Sequence, residues 1–277
     1  MRFKTILGVV NVELWKSDLE MLQRLCDENG SHLSLLVTSV SQPPPLAEHA
    51  AIADLWLREQ DARIRALREQ IDAINASLAA DGLSADVDSV HVERAMMAGI
   101  VGRRGRYADL VVLGPQMIAE RDLWDAVLEG ALFEAESPVL MLPKDAAPTL
   151  KPRKVMVAWS STIEAARAVR QAADILSGAD AVHVVLVDPQ ATSWGDGPEP
   201  GADIAAYLAR HGANVTVERL SSEGRDVEEA LRRHAMDMSA EMIVMGAYGH
   251  SRLREWLFGG VTQAMTEKPP MPLFLGR

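Results

Sequence analysis

Residues 246–260, GAYGHSRLREWLFGG, combine glycine spacing with basic side chains in a way that suits anion binding. Gly246 and Gly249 stand three positions apart, and a segment with three basic side chains separates them from the pair Gly259 and Gly260. Backbone N–H groups that no side chain covers can hold a phosphate, above all where a helix begins. The segment therefore predicts an anion cradle, with a turn that needs small residues only for packing as the alternative.

The elements around this segment would place it where α/β proteins bind ligands. The apolar run EMIVM at 241–245 is typical of a buried strand, and it leads directly into Gly246. Residues 261–268, VTQAMTEK, predict a short helix after the last glycine. Ligands of open α/β sheets bind beyond the carboxyl ends of the strands. We therefore expect the glycines between this strand and this helix to line a site.

A pattern of strand, helix and strand occurs twice along the chain. The apolar runs FKTILGVV (3–10) and RKVMVA (153–158) are each followed by a helical pattern and a β-branched run. We expect an α/β fold of two tandem doubly wound, mainly parallel five-stranded sheets with helices on both faces. The predicted domains are 1–146 and 152–277, because prolines and charges interrupt the periodicity at the joint. Residues 49–82 predict one long amphipathic helix or a kinked pair.

The charge of the chain argues against nucleic acid as a partner. The formal net charge is −11, whereas binding to a phosphate backbone needs a basic face. Residues 1–150 hold 14 Lys and Arg against 23 Asp and Glu, a net charge of −9. Residues 151–277 hold 14 against 16, a net charge of −2. An anionic ligand would therefore be repelled less by the second half.

The sequence also argues against disulfide bonds, metal sites and membrane spans. The single cysteine, Cys26, can form neither an intramolecular disulfide nor a thiolate metal cluster, and we interpret it as a small core residue. The histidines lack the i, i+4 pairing of a helical zinc site, so no metal site is predicted, and His183 is expected in the core. No apolar run approaches the roughly 18–20 residues that cross a bilayer, and the N-terminus lacks a cleavage region. We expect a cytoplasmic protein without a membrane partner.

The segment GAYGHSRLREWLFGGVT resembles the glycine signature of the universal stress protein family, which is Gly, two residues, Gly, nine residues, Gly, then Ser or Thr. Gly246, Gly249 and Gly259 match this signature in order and spacing. The tandem layout also resembles a known form of the family, so the resemblance covers essentially the whole chain. It implies the strand order 3-2-1-4-5 and, in the nucleotide-binding branch, ATP with its phosphates on the glycine loop.

Two departures from the family pattern predict that ATP binds weakly. Gly260 stands where the signature has Ser or Thr, although Thr262 could still supply a hydroxyl. Trp159 and Ser160 stand where nucleotide-binding members resemble V-A-x-D, and a serine cannot clamp two ribose hydroxyls as a carboxylate can. We interpret Trp159 as a core residue, with a position over the cleft as the alternative, and Ser160 to Thr162 as a cap for the following helix. The residues expected to line the site are Gly246, Gly249, Gly259, Gly260, Val261, Thr262, Ser160 and Val187.

The first half departs from the pattern completely. Gly114 is followed by Pro115, which has no N–H to offer, and the second and third glycines are missing. Glu120, Asp122 and Asp125 would oppose a phosphate. We therefore expect the first domain to bind no nucleotide in the manner of the family.

The sequence contains no nucleophile elbow, Walker lysine or kinase-type loop, so no catalytic residue is predicted. The leading hypothesis is a tandem universal stress protein: a non-catalytic stress-response module with a weak nucleotide or anion site in its C-terminal domain. Its halves would form an internal pseudo-dimer through their final strands, and the chain a homodimer. Two alternatives stay open. One is a nucleotide-phosphate hydrolase or transferase at the C-terminal glycine loop, and the other is a scaffold without nucleotide.

Overall fold

The structure is a computed structural model that describes residues 3–41, 50–192, 197–247 and 260–277. The chain divides into two compact units, an N-terminal one of residues 3–135 and a C-terminal one of residues 136–277. Strands alternate with helices in both units, which confirms the predicted α/β class. Among the described helices, none has the length and apolar character that a membrane span requires.

The N-terminal unit contains four parallel strands in the order β3-β2-β1-β4. The five central residues of β1 are fully buried, because this strand lies between two neighbours. The strands are β1 Thr5–Asn11, β2 His32–Val40, β3 Ala85–Val92 and β4 Leu110–Leu113. The helices are α1 Trp15–Asn29, α2 Ala50–Asp81, α3 Arg94–Gly105, α4 Pro115–Ala119 and α5 Arg121–Glu129, followed by a π-helical turn Gly130–Glu134.

The C-terminal unit contains six strands in the order β5-β10-β9-β6-β7-β8. All its pairings are parallel except that of β5 with β10. The strands are β5 Val139–Met141, β6 Lys154–Ala158, β7 Ala181–Val187, β8 Val215–Leu220, β9 Met242–Gly246 and β10 Leu273–Gly276. The helices are α6 Ile163–Gln171, α7 Ala173–Gly178, α8 Ala202–Arg210, α9 Val227–Asp237 and α10 Gly260–Glu267.

The predicted strand order 3-2-1-4-5 is confirmed in both halves, as β3-β2-β1-β4-β5 and as β8-β7-β6-β9-β10. Strand β5 belongs to the same compact unit as β10 and pairs antiparallel with it. The register sets Leu140 opposite Phe274, and neither side chain is exposed. The pairing covers an apolar edge of each strand, which would otherwise be open to other chains. The two final strands therefore pair as predicted, while the domain limits 1–146 and 152–277 stay a prediction.

Helix α2 is continuous over 32 residues, as expected for one long helix rather than a kinked pair. Its second half carries the apolar face, because Leu67, Ile74 and Leu78 are buried while Leu55 is exposed. The indole of Trp15 on α1 donates a hydrogen bond to the side-chain carbonyl of Gln70 at 2.9 Å. This contact fixes the middle of α2 close to the end of β1.

Candidate functional site

A cavity of about 290 Å³ lies at the carboxyl ends of β6, β7 and β9. This is the place where open α/β sheets bind ligands. The structure brings five of the predicted residues together in its lining: Ser160, Val187, Gly246, Val261 and Thr262. Gly260 begins α10 directly before Val261. Gly249 and Gly259 lie outside the described residues, as do His250 and Arg252.

The wall after β6 is held by the backbone and by a helix cap. The N–H of Trp159 donates to the carbonyl of Val185 at 2.9 Å, which continues the pairing of β6 with β7. Thr162 is the N-cap of α6, and its hydroxyl accepts the N–H of Ala165 at 3.3 Å. The Ser160 hydroxyl lies 3.3 Å from that of Thr162. The predicted cap is thus confirmed at Thr162, and Ser160 is left exposed at the cavity.

Gly246 has a packing role that is independent of any ligand. A Cβ at this position would lie 2.5 Å from the backbone N of Ala165 and 2.7 Å from the carbonyl carbon of Glu164. The first turn of α6 therefore approaches the end of β9 more closely than any other residue type would allow. Packing is enough to explain this one glycine of the signature.

Gly260 is different, because a Cβ at this position would meet no atom of the described residues within 4 Å. Its backbone is not in the left-handed region, so an L-residue is tolerated there. Within α10, the hydroxyl of Thr266 donates a hydrogen bond to the carbonyl of Thr262 at 2.9 Å. Thr262 itself is buried. The Cβ of a serine at position 260 would therefore clash with none of the described residues, and its side chain would restore the hydroxyl of the family signature.

The described wall of the cavity is mostly apolar and carries one negative charge. Val187, Leu231 and Met245 contribute apolar surface. Among the described lining residues, Glu164 alone is charged, and the described wall holds no basic side chain. Such a wall suits an uncharged, partly apolar group better than a polyphosphate.

Trp159 is not a core residue, so the preferred interpretation was wrong, and the alternative position at the cleft is confirmed. Its side chain is half-buried and lines both this cavity and a neighbouring one of about 600 Å³. The neighbouring cavity also contacts Ile163, Gly201 and Ile204. Its position one residue beyond β6 was the available signal, because a residue that follows a parallel strand emerges at the ligand edge.

In the N-terminal unit, the edge that follows β4 is occupied by a carboxylate of the chain itself. Asp18 on α1 is fully buried, and its two oxygens accept the N–H groups of Gln116 and Met117, each at 3.0 Å. A Cβ at Gly114 would lie 2.5 Å from Asp18 Oδ1. Burial raises the pKa of the Asp18 carboxyl, while the two backbone hydrogen bonds oppose that shift. Asp18 therefore takes the N–H groups at the start of α4 that an external anion could have used.

Comparison with known proteins supports the resemblance of the glycine segment. Residues 151–275 match the model of the universal stress protein family. The C-terminal half of the chain therefore belongs to this family. No curated protein matches the chain at a significant level.

Solved structures resemble the chain over its full length. A universal stress protein from Archaeoglobus fulgidus DSM 4304 matches with a TM-score of 0.65 at 16% identity, over 98% of this chain and 96% of that chain. A putative universal stress protein from Pseudomonas aeruginosa UCBPP-PA14 gives 0.59 at 18% identity, over 99% and 92%. A functionally unknown protein from Pseudomonas aeruginosa PAO1 gives 0.58 at 17% identity, over 99% and 92%. At these identities the likeness shows the fold.

Two predictions outside the universal stress protein signature have clear outcomes. Cys26 is buried as expected, and burial raises the pKa of its thiol to about 12. His183 is only half-buried and hydrogen-bonds to Glu218, whose other oxygen lies 2.6 Å from His234 Nε2. Burial raises the pKa of Glu218, but the two histidines together hold it below its ordinary value. In the part of the chain that the structure describes, no group of His, Cys, Asp and Glu could hold a metal ion.

Proposed function

We propose that this protein is a tandem universal stress protein that acts in the cytoplasm as a non-catalytic binding module of the stress response, with a weak nucleotide site in its C-terminal half. The cavity at the ends of β6, β7 and β9 carries this proposal, because five residues chosen from the sequence converge there. The family match over residues 151–275 supports the same location.

The base and sugar of a nucleotide fit the described wall better than its phosphates do. Val187, Leu231 and Met245 offer apolar surface, and Trp159 adds a half-buried aromatic ring. Glu164 is the charged group of this wall, and it repels an anion. Phosphate would depend on the N-terminus of α10 and on the segment 248–259, which lies outside the described residues.

Two substitutions relative to the family signature set the expected strength of binding. The hydroxyl after the third glycine is absent at Gly260, and Ser160 replaces a carboxylate that would hold the ribose. Two hydrogen bonds of roughly 1–3 kcal/mol each correspond to about one to four decades in affinity. A micromolar site would become millimolar, although Ser160 also removes one negative charge from the neighbourhood of the phosphates.

Isothermal titration calorimetry with Mg-ATP on the wild type and on Gly260→Ser tests this proposal. We expect weak binding by the wild type and about tenfold tighter binding by the variant, because the restored hydroxyl can donate to a phosphate oxygen. Gly178→Ser is the matched control, since a side chain at Gly178 also meets nothing within 4 Å. Its affinity should equal that of the wild type.

The nucleotide site is refuted if neither the wild type nor Gly260→Ser binds Mg-ATP at 10 mM, a concentration that would half-fill even a very weak site with a Kd of about 10 mM. A wild-type dissociation constant well below about 10 μM would contradict the expected weakness. Turnover of ATP in the same samples, followed by release of phosphate, would contradict the non-catalytic assignment.

A further inference from the structure

A separate cavity of about 390 Å³ lies in the N-terminal unit, at the carboxyl ends of β1 and β2. Its walls come from Asn11 to Glu13 after β1, from the end of β2, and from α2, α3 and the junction of α4 with α5. The nucleotide site proposed above uses none of these residues. The ligand edge of this unit is therefore accessible at β1 and β2, although Asp18 occupies it after β4.

Charges of both signs line this cavity. Arg63 on α2 and Arg94 at the start of α3 supply guanidinium groups, while Glu13 and Glu120 supply carboxylates. Arg94 forms an ion pair with Asp125 at 2.6 Å. Arg63 donates a long hydrogen bond of 3.4 Å to the carbonyl of Val40.

Three of these charges lie outside the ion pairs that the described residues form. Among the described residues, no ion pair involves Arg63, Glu13 or Glu120. The cavity therefore presents a cation and two anions that remain available to a ligand. A ligand with a single charge would satisfy one sign and be repelled by the other.

Uncharged polar groups of the cavity are held in place by neighbours. Trp15 donates to Gln70 Oε1 at 2.9 Å, so the amide NH₂ of Gln70 keeps its donors. His91 contacts the Ser39 hydroxyl at 3.0 Å through Nδ1 and Gln60 Oε1 at 2.6 Å through Nε2. Burial lowers the pKa of His91, and the positive charge of Arg63 lowers it further. A neutral imidazole thus orients Ser39 near the guanidinium, which favours a preorganised polar wall.

We propose that this cavity binds a free α-amino acid, with its carboxylate at Arg63 and its ammonium group at Glu13 and Glu120. A zwitterion is the simplest small molecule that supplies both missing charges at once. Amide and hydroxyl groups of Gln70 and Ser39 complete the hydrogen bonding of its polar end. Nucleotide phosphates do not suit the same cavity, because two carboxylates line it.

A matched set of three ligands tests the need for both charges. L-leucine, 4-methylpentanoate and 3-methylbutylamine share the same side chain, but the second lacks the ammonium group and the third lacks the carboxylate. The protein is first screened by thermal shift against the twenty standard L-amino acids at millimolar concentration. At least one amino acid should raise the melting temperature, and its des-amino and decarboxylated analogues should not.

Arg63→Gln and Glu13→Gln should each weaken binding of that amino acid by tenfold or more in calorimetry, since each removes a charge-assisted hydrogen bond. Arg68→Gln is the matched control, because Arg68 is exposed on the same helix and does not line the cavity. The proposal is overturned if no amino acid binds, if a singly charged analogue binds equally well, or if Arg63→Gln binds as the wild type does. Each outcome is independent of ATP binding, which is measured with a different ligand.

Discussion

The two units can be compared at the residue that lies seven positions after the end of a central strand, β1 in the N-terminal unit and β6 in the C-terminal unit. Asp18 stands seven residues after Asn11, the end of β1, and Ala165 stands seven residues after Ala158, the end of β6. Each residue faces a glycine that ends or follows a strand, Gly114 or Gly246. The Asp18 carboxyl accepts the N–H groups of Gln116 and Met117, whereas Ala165 approaches Gly246 with its backbone N and Cα and has no carboxyl group to offer. The comparison teaches that one helical side chain can decide whether such an edge is filled internally.

The largest loss of stability is expected from a substitution at Gly246, because this glycine packs against the backbone of α6. Gly246→Ala places a Cβ 2.5 Å from the backbone N of Ala165, so the start of α6 must shift, and we expect a loss of about 2–4 kcal/mol in the free energy of unfolding. Gly114→Ala should cost less, because its nearest neighbour is the side chain of Asp18. Urea denaturation measures both, and Gly260→Ala serves as the open-space control. Equal losses at Gly246 and Gly260 would contradict the close approach.

Asp18→Ala tests whether the internal anion stabilises the N-terminal unit. The variant leaves the N–H groups of Gln116 and Met117 without their acceptor, and we expect a loss of about 1–3 kcal/mol in the free energy of unfolding. Asp18→Asn keeps one acceptor and should lose less. A variant as stable as the wild type would show that the two hydrogen bonds are replaced by water, and that the units differ less than the geometry indicates.

The smallest change is expected in how the free energy of unfolding depends on pH, when the wild type is compared with Asp18→Asn. Because burial raises the pKa of Asp18, the folded state holds this proton more tightly than the unfolded state does. The proton on Asp18 therefore contributes to the free energy of unfolding below the ordinary carboxyl pKa. This contribution is lost as the pH rises through the raised pKa of Asp18. The difference in the free energy of unfolding between wild type and Asp18→Asn should decrease from about pH 4 to pH 7. A difference that increases over this range would contradict the raised pKa.

Much of the fold could be predicted from local patterns. Apolar runs identified β1, β6 and β9, the long periodic segment identified α2, and the hydroxyl side chains before α6 identified its cap. These features depend on residues that are close in sequence. The same holds for the cavity residues after β6 and β7, since the carboxyl ends of parallel strands meet at one edge.

The features that were missed depend on residues far apart in the chain. Asp18 and Gln116 are 98 positions apart, and an aspartate on a helix gives no local sign that it caps another helix. His183 lies in a strand as expected, but its partner Glu218 becomes visible only when β7 and β8 pair. For Trp159 the sequence left the core and the cleft open, and its place beyond the end of β6 decided for the cleft.

The antiparallel pairing of β5 with β10 also has a consequence for the order of folding. Met141 pairs with Leu273, which is 132 positions later in the chain (273 − 141). The ribosome must therefore synthesise the whole intervening segment before this pair can form. Until then β5 is an apolar strand whose partner on this side does not yet exist. Non-local pairing of this kind is slow, and uncovered strand edges recruit other chains. The nascent protein therefore exposes this edge of β5 to aggregation until β10 has been synthesised.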